Sequence, residues 1–533
     1  NPSGECPSQP AWPSAASRGF CVSESAVGCY LFGMPTFARF FQWLFSARIL
    51  KRLFIAFFSV IALITVAWQV ENWRGRTKWE TWKAEWEAKG ETFDLASIVP
   101  PVVPDDQNFA KSVLFEPLFD VDSSGKPSDQ AALDVAKDRF KLERSPRNSF
   151  GWRHGYRRDF AAWEEALLGR DSSPAKGATP VDTVLATLEP YAADMATLSN
   201  DVRRPHSRFD IRYENGFTAM LPHLSGLKQA ASLFSLRASA RLAKGDTEGA
   251  LRDTVTTIRL AESLANEPLL ISQLVRVAIL QISMQPFWDG VVDRKWTAAH
   301  LAKLRDALQP IELMRGMALS FRGERNMINY WMDRMRVGEA DMAGELDMIT
   351  GESNLLGISL PDCLVYQNQF HINRIITENV LTGIDLENSR LVARQFKSLE
   401  EEVRMLQEGF PPYHFIAGML LSAYDKMGIK VSANQAAIDQ ALIVTALESH
   451  RLAKGGYPAS LAALSPDWLS AVPGDWFSDA GLVYRRNTDG TFTLYSIGYN
   501  ETDDGGEYTF GKSKRKTIQW EEGDWPWPSA AAE

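Results

Sequence analysis

The sequence predicts a mainly α-helical protein: a membrane-anchored α-helical body followed by a small C-terminal α+β module. Three observations carry this expectation. An uncharged run of 18 residues, LFIAFFSVIALITVAWQV (residues 53–70), lies near the start of the 533-residue chain. Apolar residues recur at helical spacing through most of 223–453. Beyond Gly455 the spacing shortens to two in LVYRR and TFTLYSI.

An apolar fraction of 45% and a charged fraction of 23% are those of a folded chain with room for more than one core. The net charge of −9, with no basic stripe interleaved with aromatics, excludes a general nucleic-acid binder. Cys6, Cys21 and Cys29 lie in a Pro/Ser-rich stretch without hydrophobic period, at spacings of 15 and 8 that match no paired zinc pattern. Met34 stands directly before PTFARFFQW, so translation is expected to start there, with residues 1–33 a non-native upstream segment. Cys363 is then the remaining cysteine, and a disulfide framework is excluded.

The uncharged run is long enough to cross a hydrocarbon core of ~30 Å at ~1.5 Å per residue. Lys51 and Arg52 close its first end, while Trp68 and Trp73 stand where an interfacial belt belongs. WQVENWRGR offers no small-residue cleavage site, which favours an uncleaved single-pass anchor over a signal peptide. Basic residues balance across the span, so orientation rests on the short arm, 34–52, ahead of a large body. That arrangement predicts a cytoplasmic arm, an inner-membrane anchor and a periplasmic body. Residues 71–109 form a stalk and a Pro-rich linker. Trp79, Trp82 and Trp86 share one helical face, expected to dock onto the body because the opposite face carries both signs of charge.

The body, 110–430, opens with short helices and loops. From residue 223, Leu224, Leu227, Ala231, Phe234, Ala238 and Leu242 share a face; Gly245-Asp246 then turns the chain into a second helix with Leu251, Val255, Ile258 and Leu264. This pair resembles one tetratricopeptide unit, without a second copy at that period. Further helices are expected at 269–290, 297–337, 362–382, 385–408, 414–427 and 432–453. Arg276 lies in an apolar helix with Glu267 near its start, and Glu324 stands between Arg322 and Arg325. Buried arginines need carboxylate partners, so these groups read as structural ion pairs or, alternatively, as a cleft. RRPHSRFDIRYENGF (203–217), with Arg208, Tyr213 and Glu214, is the most site-like stretch. The histidines show no metal spacing, and no nucleophile elbow, phosphate loop or dinucleotide fingerprint occurs. Cys363 reads as a buried free thiol.

In the C-terminal module, 431–533, a helix leads into GGYPASLAAL, VPGDWF, LVYRR and YSIGYNETDDGG, with a hairpin turn through NTDG. These segments resemble the globular region of the type II secretion major pseudopilins. The resemblance implies a calcium-binding turn, with Asp503 and Asp504 at the acidic positions and Ser496 as the serine before the glycine. Asn500-Glu501 stands where that family often has Asp-Gly, and the anchor lacks the prepilin cleavage motif, so the chain is not itself a processed pseudopilin. Asn500 and Glu507 could complete an oxygen shell; the alternative is the acidic tip of a hairpin, since Asp and Gly are good turn residues. NWRGRTKWETWKAEWEAKGE, VPDDQNFA and EEGDWPWP together resemble a family of single-pass membrane-anchored bacterial proteins of uncharacterised activity.

Two functions follow. The first is a non-enzymatic envelope scaffold with protein partners, associated with secretion or pilus-like machinery. The second is a periplasmic hydrolase with a polar cleft joining 203–217 to Arg276 and Glu324. A sealed, salt-bridged helical core favours the first, and an open cleft with a strongly shifted carboxylate favours the second.

Overall fold

A computed structural model describes residues 47–122, 126–146, 151–169, 174–339, 361–408, 411–421, 424, 426–512 and 517–531. The expectations for Met34 and for the early cysteines lie outside these residues. The chain divides into two units, Asn1–Val70 and Glu71–Glu533.

Helix α1 (Ala47–Ala88) contains the uncharged run and, beyond Val70, the tryptophan-rich stretch. In the first unit its apolar side chains, among them Leu53, Phe54, Phe57 and Leu63, are exposed, and the helix is long and apolar enough to span a membrane. A second helix that passes the same length and composition test, Leu270–Val292, is mostly buried and is a core helix.

In the second unit, Trp79 and Trp82 are buried in a cluster with Phe93, Tyr366 and Phe370. Trp82 Nε1–H donates to Glu378 at 2.7 Å, and the Lys78 ammonium sits 3.9 Å from the Phe370 ring centroid. The tryptophan face therefore docks onto the body, as its mixed-charge opposite face predicts.

The short helices of the first third are α2 (Gln130–Asp138), α3 (Phe160–Leu168), α4 (Pro180–Leu188) and α5 (Ala192–Asp201). The helical hairpin α6 (His223–Lys244) and α7 (Thr247–Glu262) turns where expected. Gly245 caps α6 in the left-handed region (φ 83°), and the Asp246 side chain accepts from Gly249 N to start α7. Buried Asp253 ties the pair together, accepting from both Arg237 (2.8 and 2.9 Å) and Arg241 (2.8 Å). Helix α8 (Leu270–Val292) packs across both.

Several expected elements differ: the α-helix expected at 362–382 ends at Ile375, and the one expected at 414–427 spans Pro411–Leu421. The 297–337 helix is broken into α9 (Ala298–Leu308) and α10 (Leu313–Arg336) around Pro310; Gln435 accepts the free Leu313 amide at 2.7 Å and so starts the second helix. The helix predicted from 385 instead begins at Ala393. Before it, β1 (Ile384–Asp385) pairs with β2 (Arg390–Leu391), because the Asp385 carboxylate accepts the amides of Glu387 and Asn388 and folds the chain into a turn. Later helices among the described residues are α11 (Asp362–Ile375), α12 (Ala393–Glu408), α13 (Pro411–Leu421) and α14 (Met427–Lys454).

Helix α14 packs against α9 and α10, so the expected boundary at 430/431 falls inside one compact unit. After Gly455 (φ 81°), β3 (Val483–Arg486) and β4 (Phe492–Ser496) form the predicted antiparallel hairpin, and β7 (Trp525–Pro526) adds to β4. A second ribbon pairs β5 (Tyr508–Phe510) with β6 (Ile518–Gly523). Trp525 and Phe477, packed edge to face at 5.1 Å, seat this module on the main core.

Candidate functional site

The residues proposed for a cleft are committed to separate tasks. Arg276, 2% exposed, makes a bidentate pair with Glu262 (3.0 Å for each nitrogen) and also donates to Gln273 Oε1. Its sequence neighbour Glu267 turns elsewhere, to buried His223 at 2.9 Å. Gly316 packs against this group: a Cβ there would stand 2.7 Å from Arg276 Nη1, and the Arg276 and Gln273 side-chain ends would have to shift. Glu324 does not pair with its flanking arginines. It accepts the amide of Leu270 at the start of α8 and the hydroxyl of Tyr424, and its apolar surroundings push its carboxyl up to about 7. Arg322 and Arg325 both reach Glu91 at the end of the stalk.

In the 203–217 stretch, Arg208 Nε donates to the carbonyl of Pro100, while Asn108 grips the Arg208 backbone from both sides (2.8 and 2.9 Å). Tyr213 is buried, and burial first, then the Glu267 charge, holds its phenol well above the usual range. Glu214 is exposed. This stretch fastens the linker to the body. Cys363 is a buried free thiol, as predicted, and burial pushes its pKa up.

The acidic loop is bound by its own hydrogen bonds. Asp503 accepts from Tyr495 Oη (2.9 Å) and Gly505 N (3.0 Å), and Asp504 accepts from Asn500 Nδ2 (2.7 Å). Beneath them lies buried Asp524, whose Oδ2 accepts the amides of Asp504 (2.9 Å) and Gly506 (2.6 Å). Ser496 faces inward and donates to Asp475 at 2.7 Å, so it belongs to the strand network and not to the loop's outer oxygens. Asn500 Nδ2 points at Asp504, and Glu507 is exposed. Among the described residues no three His, Cys, Asp or Glu side chains are disposed to hold a metal ion. As placed, the loop offers calcium two exposed carboxylates without a closed cage.

The sequence reading passes over a cavity of about 720 Å3 between residues 140–163, α6 and α8. Arg153, Arg158 and Lys228 line it together with Trp152, Trp163 and Gln229, and among the described residues no carboxylate is part of its lining. Arg158 donates to Ser239 Oγ (3.1 Å) and Ser235 Oγ (2.8 Å). The neighbouring carboxylate, Asp289, instead accepts from Ser239 Oγ and Gln285 Nε2, and burial pushes it up to about 6. Arg153 lies between the Trp152 and Trp520 rings and donates to Asn434 and Tyr508, while its buried Nε has no partner. The available signal was the clustering of cations in GWRHGYRRDF, but irregular backbone gave no period from which to place them.

Compared with known proteins, the chain matches no family model, no curated protein and no solved structure.

Proposed function

We propose that the protein is a non-enzymatic, single-pass scaffold of a bacterial inner membrane, with residues 71–533 on the periplasmic side. The observation that carries this reading is α1: an exposed, uncharged apolar segment followed by a stalk whose Trp79 and Trp82 are buried in the body. The groups expected to form a cleft support the same reading. Arg276 and Glu262 pair in the interior, Glu324 starts a helix, Arg208 holds the linker and Tyr213 is buried. A hydrolase would need some of these groups to present unfilled valences to a shared substrate. The likenesses of α6–α7 to a tetratricopeptide unit and of the C-terminal module to a pseudopilin belong to this proposal, and so does association with secretion or pilus-like machinery. Calcium at Asp503 and Asp504, ordering the loop between the strands, belongs to it as well.

The test is a pair of C-terminal fusions in a Gram-negative host, one to alkaline phosphatase and one to a fluorescent protein that matures only in the cytoplasm. Phosphatase activity in the inner-membrane fraction, lost when Ile61 and Leu63 are both changed to Lys, is the expected result. Cytoplasmic fluorescence with the chain in the soluble fraction overturns the reading. Photo-crosslinking from exposed body positions should yield discrete adducts with envelope components; a chain that crosslinks to none is not a scaffold.

A further inference from the structure

Among the described residues the cavity is lined by cations and no carboxylate, and its chemistry is specific. In a chain of net charge −9, three cations line one space while no Asp or Glu among the described residues does. Cationic side chains held close together repel one another, and a protein usually relieves this by placing a carboxylate among them. Asp289 acts on Arg158 through its charge, but its oxygens hydrogen-bond to Ser239 and Gln285, and Arg158 donates to the two serine hydroxyls, which leaves the cations of Arg153 and Lys228 without such a neighbour among the described residues. Among the described residues neither Arg153, Arg158 nor Lys228 forms an ion pair, and no hydrogen bond takes Arg158 Nη1.

The rest of the lining sets the shape of an occupant. Trp152 and Trp163 supply flat apolar walls, and the volume of about 720 Å3 is that of a small-molecule site. Arg153 is fixed by stacking between two indoles at 4.6 and 4.8 Å, so its charge is held in place before any ligand arrives. Serine hydroxyls orient Arg158 in the same way. A guanidinium held in this manner suits the planar, two-oxygen edge of a phosphate or carboxylate. Gln229 adds an uncharged polar group at the same wall.

We propose that this cavity binds a small organic anion: a phosphate or carboxylate head received by Arg158, Arg153 and Lys228, carrying an aromatic or similarly flat apolar body that lies against Trp152 and Trp163. Ligand occupancy would bridge α3, α6 and α8. Through Arg153, which reaches Asn434 of α14 and Tyr508 of β5, it would also bear on the C-terminal module. The site is independent of the scaffold reading.

The experiment is isothermal titration of the full chain in a nonionic detergent with three probes: 1-naphthyl phosphate, 1-naphthol and inorganic phosphate. The expected result is saturable binding of 1-naphthyl phosphate, with the neutral naphthol and the bare phosphate each weaker by about tenfold or more. Arg158→Gln should weaken 1-naphthyl phosphate by about tenfold. Because Arg158 also supports core serines, Lys228→Glu on the exposed side of α6 serves as the second variant; it should weaken the phosphate ester several-fold and leave the far-UV circular dichroism unchanged. Absence of saturable 1-naphthyl phosphate binding to the wild-type chain overturns the proposal. So does equal affinity for naphthol, or binding that Lys228→Glu leaves unaltered.

Discussion

Arg325 and Glu91, 234 residues apart in the chain, form an ion pair of 2.9 Å in which the guanidinium is fully buried. Arg325 also donates to Thr377 Oγ1 and to the Thr92 carbonyl, both at 2.7 Å, and lies 4.3 Å from the Phe93 ring centroid. Arg322 adds a second guanidinium on Glu91 at 2.6 Å. One carboxylate at the end of the stalk thus neutralises two arginines of α10. Burial alone would push the Glu91 carboxyl up, but the combined pull of Arg322 and Arg325 outweighs it and holds the group below its usual range.

Removing Glu91 strands a buried charge. Glu91→Ala is expected to destabilise the chain by about 3 kcal/mol, the scale for breaking a buried pair by deleting one partner. Changing both Glu91 and Arg325 to uncharged residues should recover part of that loss. Thermal melts of the single and double variants check this, and equal melting of Glu91→Ala and wild type would refute it.

Glu324 gives a pH dependence of defined sign. Its folded pKa, about 7, lies above that of an unfolded glutamate, so the folded state holds the proton longer. The stability this supplies is complete below the unfolded pKa of roughly 4.3 and is lost as pH rises through 7. Asp289, pushed up to about 6, acts in the same direction over a lower window. Glu324→Gln should therefore flatten the fall in stability between pH 5 and pH 7 by on the order of 1 kcal/mol. Urea midpoints at several pH values measure it; an unchanged slope would sink the argument.

The stalk depends on Trp82. Trp82→Ala removes packing against Phe93 and Phe370 and leaves Glu378 without its indole donor. A loss of about 3 kcal/mol is expected, together with faster cleavage between residues 71 and 95 in limited proteolysis. Trp73→Ala, at an exposed position, is the control.

The loop proposal is checked by melting the full chain in EDTA and then in millimolar calcium. Calcium should raise the melting temperature, and Asp503→Ala combined with Asp504→Ala should abolish the rise; at a thousandfold excess over Kd the gain is about 4 kcal/mol. Ser496→Ala should lower stability by about 1 kcal/mol in both conditions, because Ser496 bonds to Asp475 and not to the loop. A calcium response unaffected by the double variant would remove Asp503 and Asp504 as ligands.

Elements with local signals were readable from the residue order alone. The uncharged run of α1, the Gly245-Asp246 turn between α6 and α7, and the β3–β4 hairpin each rest on neighbours within a few residues, and each was legible. The indole face of Trp79 and Trp82 was legible too, because helical spacing fixes a face without reference to its partner. What the tertiary structure decided were the pairings. Glu262 and not Glu267 receives Arg276, and Glu91 and not Glu324 receives Arg322 and Arg325, because a buried charge is satisfied by whichever opposite group the packing brings within reach. The break at Pro310 and the start of α10 likewise depended on Gln435, which is remote in sequence. The cation-lined cavity was the least visible of all: Arg153 lies in a single 3-10 turn and Arg158 on irregular chain, too short for a periodicity that tells which way a side chain points, and the helices that complete the wall come from far along the chain.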